Sequence, residues 1–409
     1  GWMGDAQIFV RTACFNMDVA GFFTKWMRDV SDGQSKEGSF CDVSPRILMD
    51  IDGSPAWGDA GVIVPWAVYE SYGDTRILEE HYEAMRRWVD FIHKHNPDLI
   101  WTKRVGNNYG DWVAIKAETS KEVIATAFFA QSSRLVSRMA GILGRKEDER
   151  KYSQLFESIK QVFIKEFVAD DGRVKSGTQT AHLLALRFDL LPTNLRPGAV
   201  KHLIADIERR DGHLSTGFVG VSHLLPALTE IGQLDVAYRL ALNETFPSWG
   251  FTVKNGATTI WERWDGWRPD KGFQDPGMNS FNHYSFGSIG EWLYRTVAGL
   301  APDADQPGYR HIVIAPRPGG GLTHARAEYD SAYGRIASGW KILEGKFRLG
   351  VTIPVNTTAT VLVPSTADGI TESGRPVKEA EGVRFVGVEE TGTRFEVQSG
   401  TYEFEADMK

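Results

Sequence analysis

The chain of 409 residues is too long for one ordinary core and allows two or three domains, or one large repetitive one. Hydrophobic residues at 42% and charged residues at 24% are ordinary globular usage, which argues against long disorder and against a membrane protein. A formal net charge of -7 supplies no basic surface, so nucleic acid and membrane lipid are not expected partners and a neutral ligand fits better.

From Gly1 to about residue 300, apolar residues recur at spacings of three and four, broken by loops rich in Gly, Pro and Asn. This pattern predicts about ten helices, over 5–30, 57–73, 75–96, 119–143, 146–168, 178–190, 195–210, 217–231, 233–244 and 286–299. Helices joined by short turns and apolar on wide faces point to a helical array or a closed ring of hairpins. A ring of six hairpins needs twelve helices, so ten implies that about one hairpin lies upstream of Gly1.

Several loops share a polar-aromatic character: Gly1-Trp2-Met3-Gly4-Asp5, Ala56-Trp57-Gly58-Asp59-Ala60, Tyr109-Gly110-Asp111-Trp112 and Asn282-His283-Tyr284. Their recurrence, with helices between, suggests one rim of an α/α barrel where a pocket is built. The 13 Trp, 22 Phe and 12 Tyr fit that picture, because flat rings cover the C–H faces of a sugar while nearby carboxylates and amides take its hydroxyls.

After Ala301-Pro302-Asp303 the period changes to two, as in Arg310-His311-Ile312-Val313-Ile314 and Thr358-Ala359-Thr360-Val361-Leu362-Val363. Turn residues between short strands continue to the end, so residues 301–409 read as an antiparallel β-sandwich following a helical domain at 1–300. The only cysteines, Cys14 and Cys41, are expected as buried thiols, not as a disulfide framework. No apolar stretch of about 20 residues occurs, and the chain starts at Gly1 without an initiator Met, which leaves the compartment open between cytoplasm and secretion.

Metal, nucleotide and serine-hydrolase signatures are absent: there is no His-Glu-x-x-His, no paired Cys-x-x-Cys, no P-loop and no Gly-x-Ser-x-Gly. No metal or cofactor is therefore expected, and the Gly319-Gly320-Gly321 run has no helix after it that would make a phosphate cradle. The densest segment is Thr258-Thr259-Ile260-Trp261-Glu262-Arg263-Trp264-Asp265-Gly266-Trp267, with three Trp among two acids. That crowding suits a loop holding a carboxylate against aromatic walls, where Glu262 is a candidate general base. The alternative is a surface ion pair between Glu262 and Arg263 beside packed Trp. His283 precedes the last helix and has a structural reading as well as a ligand-binding one. Asp5, Asp59 and Asp111 each stand at the start of a predicted helix, where N-capping alone would explain them.

Taken together and in this order, these motifs, with Pro307-Gly308-Tyr309 and Ile353-Pro354-Val355-Asn356-Thr357-Thr358 in the tail, resemble glycoside hydrolase family 78, the inverting α-L-rhamnosidases. The resemblance covers nearly the whole chain. It implies an (α/α)6 barrel with a C-terminal β-sandwich, and a rhamnose-containing glycoside or oligosaccharide as substrate. By position it implies that Glu262 is the general base activating water, and that Trp2, Asp5, Trp57, Trp112 and His283 line the pocket for the terminal rhamnose. One departure stands out: the family's general acid, a Glu just before the Gly-Trp-x-Gly-Asp motif, would precede Gly1. An inverting glycosidase needs an acid and a base roughly 6.5–9.5 Å apart, so the resemblance implies an enzyme fragment that lacks its acid. Two competing readings are a rhamnose-binding or scaffold remnant and a polysaccharide lyase on the same barrel.

Overall fold

A computed structural model describes residues 1–48, 51–365 and 369–407. The chain divides into two compact units: Gly1–Ala13, Asp18–Ala67 and Thr75–Ile289 form the first, while Cys14–Met17, Val68–Asp74 and the chain from Gly290 form the second.

Twelve α-helices occur among the described residues, namely α1 Met3–Asn16, α2 Ala20–Asp32, α3 Ala60–Tyr72, α4 Arg76–His95, α5 Lys121–Ile142, α6 Lys146–Phe167, α7 Gln179–Arg187, α8 Arg196–Arg209, α9 Phe218–Glu230, α10 Leu234–Ala241, α11 Trp249–Lys254 and α12 Ile289–Trp292. Their burial alternates. In α7 every residue from Gln179 to Leu186 is buried, and α5 is buried over most of its length. By contrast α6 buries only Tyr152, Leu155, Phe156, Ile159, Phe163 and Phe167, one stripe at helical spacing, and α4 does the same from Ile77 to Ile92. Helices apolar all round must lie inside and one-sided helices outside. The contacts agree, with α5 touching α7 and α7 touching α9, while α6 packs on α5, α8 on α7 and α10 on α9. The first unit is thus a double layer of helical hairpins.

Three sequence expectations change. The single helix predicted over 5–30 is two helices, because the chain turns at Met17–Val19, where the Asp18 carboxylate accepts the Ala20 N–H at 3.3 Å. The short α11 was not anticipated; Ser248 caps it by accepting the Phe251 N–H at 3.0 Å. The segment predicted as one helix over 286–299 starts as a 3-10 turn, passes through α12 and ends as a π-helix at Leu293–Val297. Twelve helices are thus described where ten were expected.

The change of period expected near residue 301 coincides with the first strand of the second unit, Leu300–Pro302. A six-stranded sheet has the order Arg375–Pro376, Thr371–Glu372, Gly400–Asp407, Lys346–Ile353, Gly334–Leu343, His324–Ser331. A five-stranded sheet runs Val383–Glu389, Gly392–Val397, Thr358–Val363, His311–Ile314, Leu300–Pro302. Every pairing is antiparallel except His311–Ile314 against Thr358–Val363. Alternate residues, among them Phe347, Leu349, Val351 and Ile353, face one core with Val361, Phe395 and Phe404, which is the period-two pattern in physical form. The tip of α1 belongs to this unit: Phe15 stacks on Tyr294 at 4.6 Å and meets Tyr329 edge-on at 5.9 Å. So does the end of α3, where the Glu70 carbonyl accepts the Gly308 N–H at 3.0 Å.

Phe163 lies at the centre of the α6 stripe with no exposed surface. Phe163→Ala is expected to destabilise the helical unit by about 3–5 kcal/mol, whereas Glu157→Ala on the exposed face of α6 should change stability by less than about 0.5 kcal/mol. Urea unfolding followed by far-ultraviolet circular dichroism measures both.

Candidate active site

The site is built where the loops of the helical unit meet. At the start of α1, Trp2 forms a β-bridge with Val43, and the Met3 N–H donates to the Asp42 carbonyl at 2.9 Å. Gly4 lies flat against the Trp57 indole: a Cβ there would sit 2.5 Å from the ring. This close approach explains the glycine between Trp2 and Asp5 and turns Trp57, itself only 3% exposed, into part of the same surface. Asp5, in the first turn of α1 and 4% exposed, points its carboxylate at residues near the far end of the unit. Its Oδ1 accepts the Ser285 hydroxyl at 2.8 Å and pairs with His283 Nε2. The positive end of the α1 dipole favours the negative charge at this position.

The Trp-rich segment is irregular up to the short strand at Trp267–Arg268 and is pinned to the stretch at Ser280–His283 by backbone bonds. The Glu262 N–H donates to the Ser280 carbonyl at 2.9 Å, and the His283 N–H donates to the Ile260 carbonyl at 2.9 Å. The Ser280 N–H in turn donates to Glu262 Oε2 at 3.1 Å, which fixes the carboxylate. Glu262 is 9% exposed. Among the described residues its Oε1 has no hydrogen-bond donor. Arg263 pairs with Asp265 at 3.0 Å and not with Glu262, so the surface ion pair weighed from the sequence is not formed. Trp264 stacks on Phe286 with centroids 4.0 Å apart and donates Nε1–H to the Thr216 carbonyl at 2.8 Å, anchoring the segment beside Glu262.

His283 joins these two carboxylates. Burial by itself would lower its pKa, but the hydrogen bond and charge of Asp5 and the charge of Glu262 outweigh it and raise the value. Its hydrogen bond is to Asp5, and Glu262 acts on it through charge alone.

A second group consists of aromatic rings. Trp2, Trp57 and Trp112 all contact Tyr109, at centroid distances of 6.0, 4.4 and 5.9 Å. The Tyr109 hydroxyl donates to Asp42 Oδ2 at 2.8 Å and accepts from Asn107 Nδ2 at 2.7 Å. The same Asp42 oxygen accepts the Ser54 hydroxyl at 2.8 Å, while Oδ1 is buried without a partner among the described residues. Burial pushes the Asp42 carboxyl up to about 6, against the hydrogen bonds of Tyr109 and Ser54. Tyr109 stands inside the Tyr-Gly-Asp-Trp motif and Asp42 in the plain stretch Phe40-Cys41-Asp42-Val43, and neither was singled out from the sequence.

The six residues expected at the site thus fall into two sets, Asp5 bonded to His283 with Glu262 close enough to act on His283 by charge, and Trp2, Trp57 and Trp112 in contact with Tyr109. Gly4, between Asp5 and Trp57, links them. Asp59 and Asp111 stay outside. Asp59 is fully buried, with Oδ1 accepting Trp88 Nε1–H at 3.0 Å and the Ser132 hydroxyl at 2.6 Å, and Oδ2 accepting the Ala56 N–H at 2.8 Å; burial raises its pKa to about 6. Asp111 caps α9 from a distance, accepting the N–H groups of Gly217, Val219 and Gly220 at 2.9, 2.9 and 3.1 Å. Gly217 permits the approach, since a Cβ there would lie 2.1 Å from the Trp112 carbonyl oxygen. Both acids therefore hold loops in place, Asp111 directly beside Trp112. A shallow trough of about 890 Å³ on the second unit, lined among others by Arg326, Gly339, Gly350 and Glu403, contains none of these side chains.

The raised values of Asp42, Asp59 and His283 act in the same direction on stability. For each acid the folded state binds its proton more tightly than the unfolded state, whose value is near 3.8, so stability is lost as pH rises through about 6. For His283 the contribution is complete below its ordinary value near 6.5 and is lost as pH rises through the raised one. His81, His182 and His223, whose values burial lowers, act in the opposite direction, so the contribution of Asp42 is read by difference. Between pH 5.5 and pH 7.5 (both chosen as roughly bracketing these values) calorimetric melts of the parent are expected to lose more melting temperature, or gain less, than those of Asp42→Asn.

Residues 1–297 match the bacterial alpha-L-rhamnosidase 6 hairpin glycosidase domain, and residues 299–378 match the bacterial alpha-L-rhamnosidase C-terminal domain. An alpha-L-rhamnosidase of Streptomyces avermitilis is 46% identical over 404 residues, covering 99% of this chain and 38% of the relative. One from Formosa agariphila is 40% identical over 420 residues, covering 99% and 44%. The crystal structure of the Streptomyces avermitilis alpha-L-rhamnosidase complexed with L-rhamnose superposes with a TM-score of 0.94 at 45% identity, over 100% of this chain and 38% of that one. The alpha-L-rhamnosidase from Dictyoglumus thermophilum does so at 0.90 and 34% identity, over 100% and 46%. The chain therefore spans less than half the length of these relatives.

Proposed function

The chain belongs to the bacterial alpha-L-rhamnosidase six-hairpin glycosidase family, and from that premise we propose that it carries the sugar pocket and general base of an enzyme removing terminal α-L-rhamnose with inversion of configuration. The observation that carries this reading is the state of Glu262: nearly buried, fixed through Oε2 by the Ser280 N–H, and with Oε1 available to a water. A carboxylate so oriented takes a proton from water as that water attacks the anomeric carbon.

The remaining residues supply the surroundings. Asp5 and His283 present a paired acceptor and donor to sugar hydroxyls. Trp112, with Trp2 at the open edge and 37% exposed, offers apolar surface to the C–H faces and methyl group of rhamnose, and the buried Trp57 backs them. The L-rhamnose bound by the Streptomyces avermitilis relative is consistent with this assignment. Protonation of the leaving oxygen is the one role that no residue of this chain is assigned.

An aryl leaving group departs with little protonation, so an aryl α-L-rhamnoside isolates the task of the base. Glu262→Gln keeps the shape but cannot accept the proton. It is expected to leave the melting temperature and L-rhamnose affinity nearly unchanged while lowering turnover of the aryl rhamnoside by about 10²- to 10⁴-fold. Proton NMR at early times should show the β-anomer first. Undiminished turnover in the variant, or initial release of the α-anomer, would remove Glu262 from this role.

A further inference from the structure

Trp2 and Trp112 each have one ring contact among the described residues, and in both cases it is the edge or face of Tyr109. Trp57, tilted by 36° against Tyr109 at 4.4 Å, is the third ring on the same residue. Tyr109 is thus the common support of the three tryptophans, and what fixes Tyr109 fixes them. Its ring has no helix to lock it, since it lies in the loop between α4 and α5. Its orientation is set by the hydroxyl, which uses both its donor and its acceptor capacity, toward Asp42 and Asn107.

Asp42 is tied in twice more. Its carbonyl accepts the Met3 N–H beside Trp2, and its carboxylate accepts the hydroxyl of Ser54, whose Oγ in turn accepts the Asn107 N–H at 3.1 Å. One buried residue thereby references the loop of Trp2, the loop of Trp57 and the loop of Trp112 to a single point. We propose that Asp42 and Tyr109 are a positioning pair for the sugar pocket: Asp42 holds the Tyr109 hydroxyl, and Tyr109 holds Trp2, Trp57 and Trp112 at the spacing that receives the sugar. The inference rests on the reading of those tryptophans as the pocket wall. A buried carboxylate with one unpaired oxygen is costly to maintain, and its pKa near 6 is a measure of that strain on the charged form; a role in the geometry of the pocket accounts for its presence.

The test is calorimetric titration of the whole chain with L-rhamnose, alongside thermal melts. Tyr109→Phe keeps the ring and removes the hydroxyl bonds, and Asp42→Ala removes the acceptor. Each is expected to weaken affinity by about 5- to 30-fold, the range of one or two lost hydrogen bonds. The double variant should lose less than the sum of the two single losses, because the Asp42–Tyr109 bond is already absent in each. Asp42→Asn, which keeps an acceptor oxygen, should restore affinity to within about threefold. Near-ultraviolet circular dichroism should change in Tyr109→Phe and Asp42→Ala and return toward the parent spectrum in Asp42→Asn. If Asp42→Ala does not fold, Tyr109→Phe and Asp42→Asn still decide the matter. Losses that add in the double variant, or melting temperatures that fall while affinity holds, would show a structural role alone and overturn the proposal. Parent protein that binds L-rhamnose with Tyr109→Phe binding equally well overturns it without touching the functional reading. Parent protein that binds no L-rhamnose overturns that reading, and this inference with it.

Discussion

A buried carboxylate in the first turn of the chain closes the helical unit on itself. Asp5 takes the Ser285 hydroxyl and pairs with His283, spanning 280 and 278 residues of sequence. A few residues further along α1, Thr12 donates to the Ser288 carbonyl at 3.1 Å, a second stitch on the same seam. This seam, with Phe9 against Tyr284 at 5.1 Å beside it, fixes the loop bearing Glu262 to the loop bearing Trp2, although the two lie at opposite ends of the unit's sequence. The interaction is local in space and maximal in chain separation, which is why the site and the closure of the fold depend on the same atoms.

The other acids of the unit repeat the device with different partners. Asp59 gathers Trp88, Ser132 and the Ala56 N–H, and Asp111 gathers the start of α9 under the Trp112 loop. Each replaces water around a carboxylate by several directed donors, so the loops between hairpins acquire rigidity that their irregular backbone does not supply. The burial that makes these networks specific also raises the pKa of each acid, so the loop framework and the pH response of the protein share one origin.

What the sequence disclosed follows from how far each signal reaches. Helices such as α4 and α6 were legible because their apolar stripes repeat within the helix itself, and Glu262 was legible because three tryptophans crowd it within a few residues. The break at Met17–Val19 was not, since a three-residue turn leaves the apolar spacing on either side nearly in phase. Asp42 and Tyr109 were invisible for a stronger reason: their bond crosses 67 residues, and no recognisable motif around Phe40-Cys41-Asp42-Val43 marks it. The capping role of Asp111 was likewise misplaced, because the helix it caps begins about a hundred residues downstream of it and not at the next one. Family resemblance named the side chains proposed to face a substrate; the contacts behind them emerged only from the folded chain.

The tip of α1 has a consequence for synthesis on the ribosome. Phe15 packs on Tyr294 and Tyr329, so its partners emerge only after most of the chain has been made. At about 5–20 residues per second, that leaves an apolar ring without its native cover for on the order of tens of seconds. The nascent chain must keep the end of its first helix soluble through that interval, which makes this tip a natural point of engagement for a chaperone. It also means that cutting the gene where the strands begin would strand Phe15 on the wrong side of the cut.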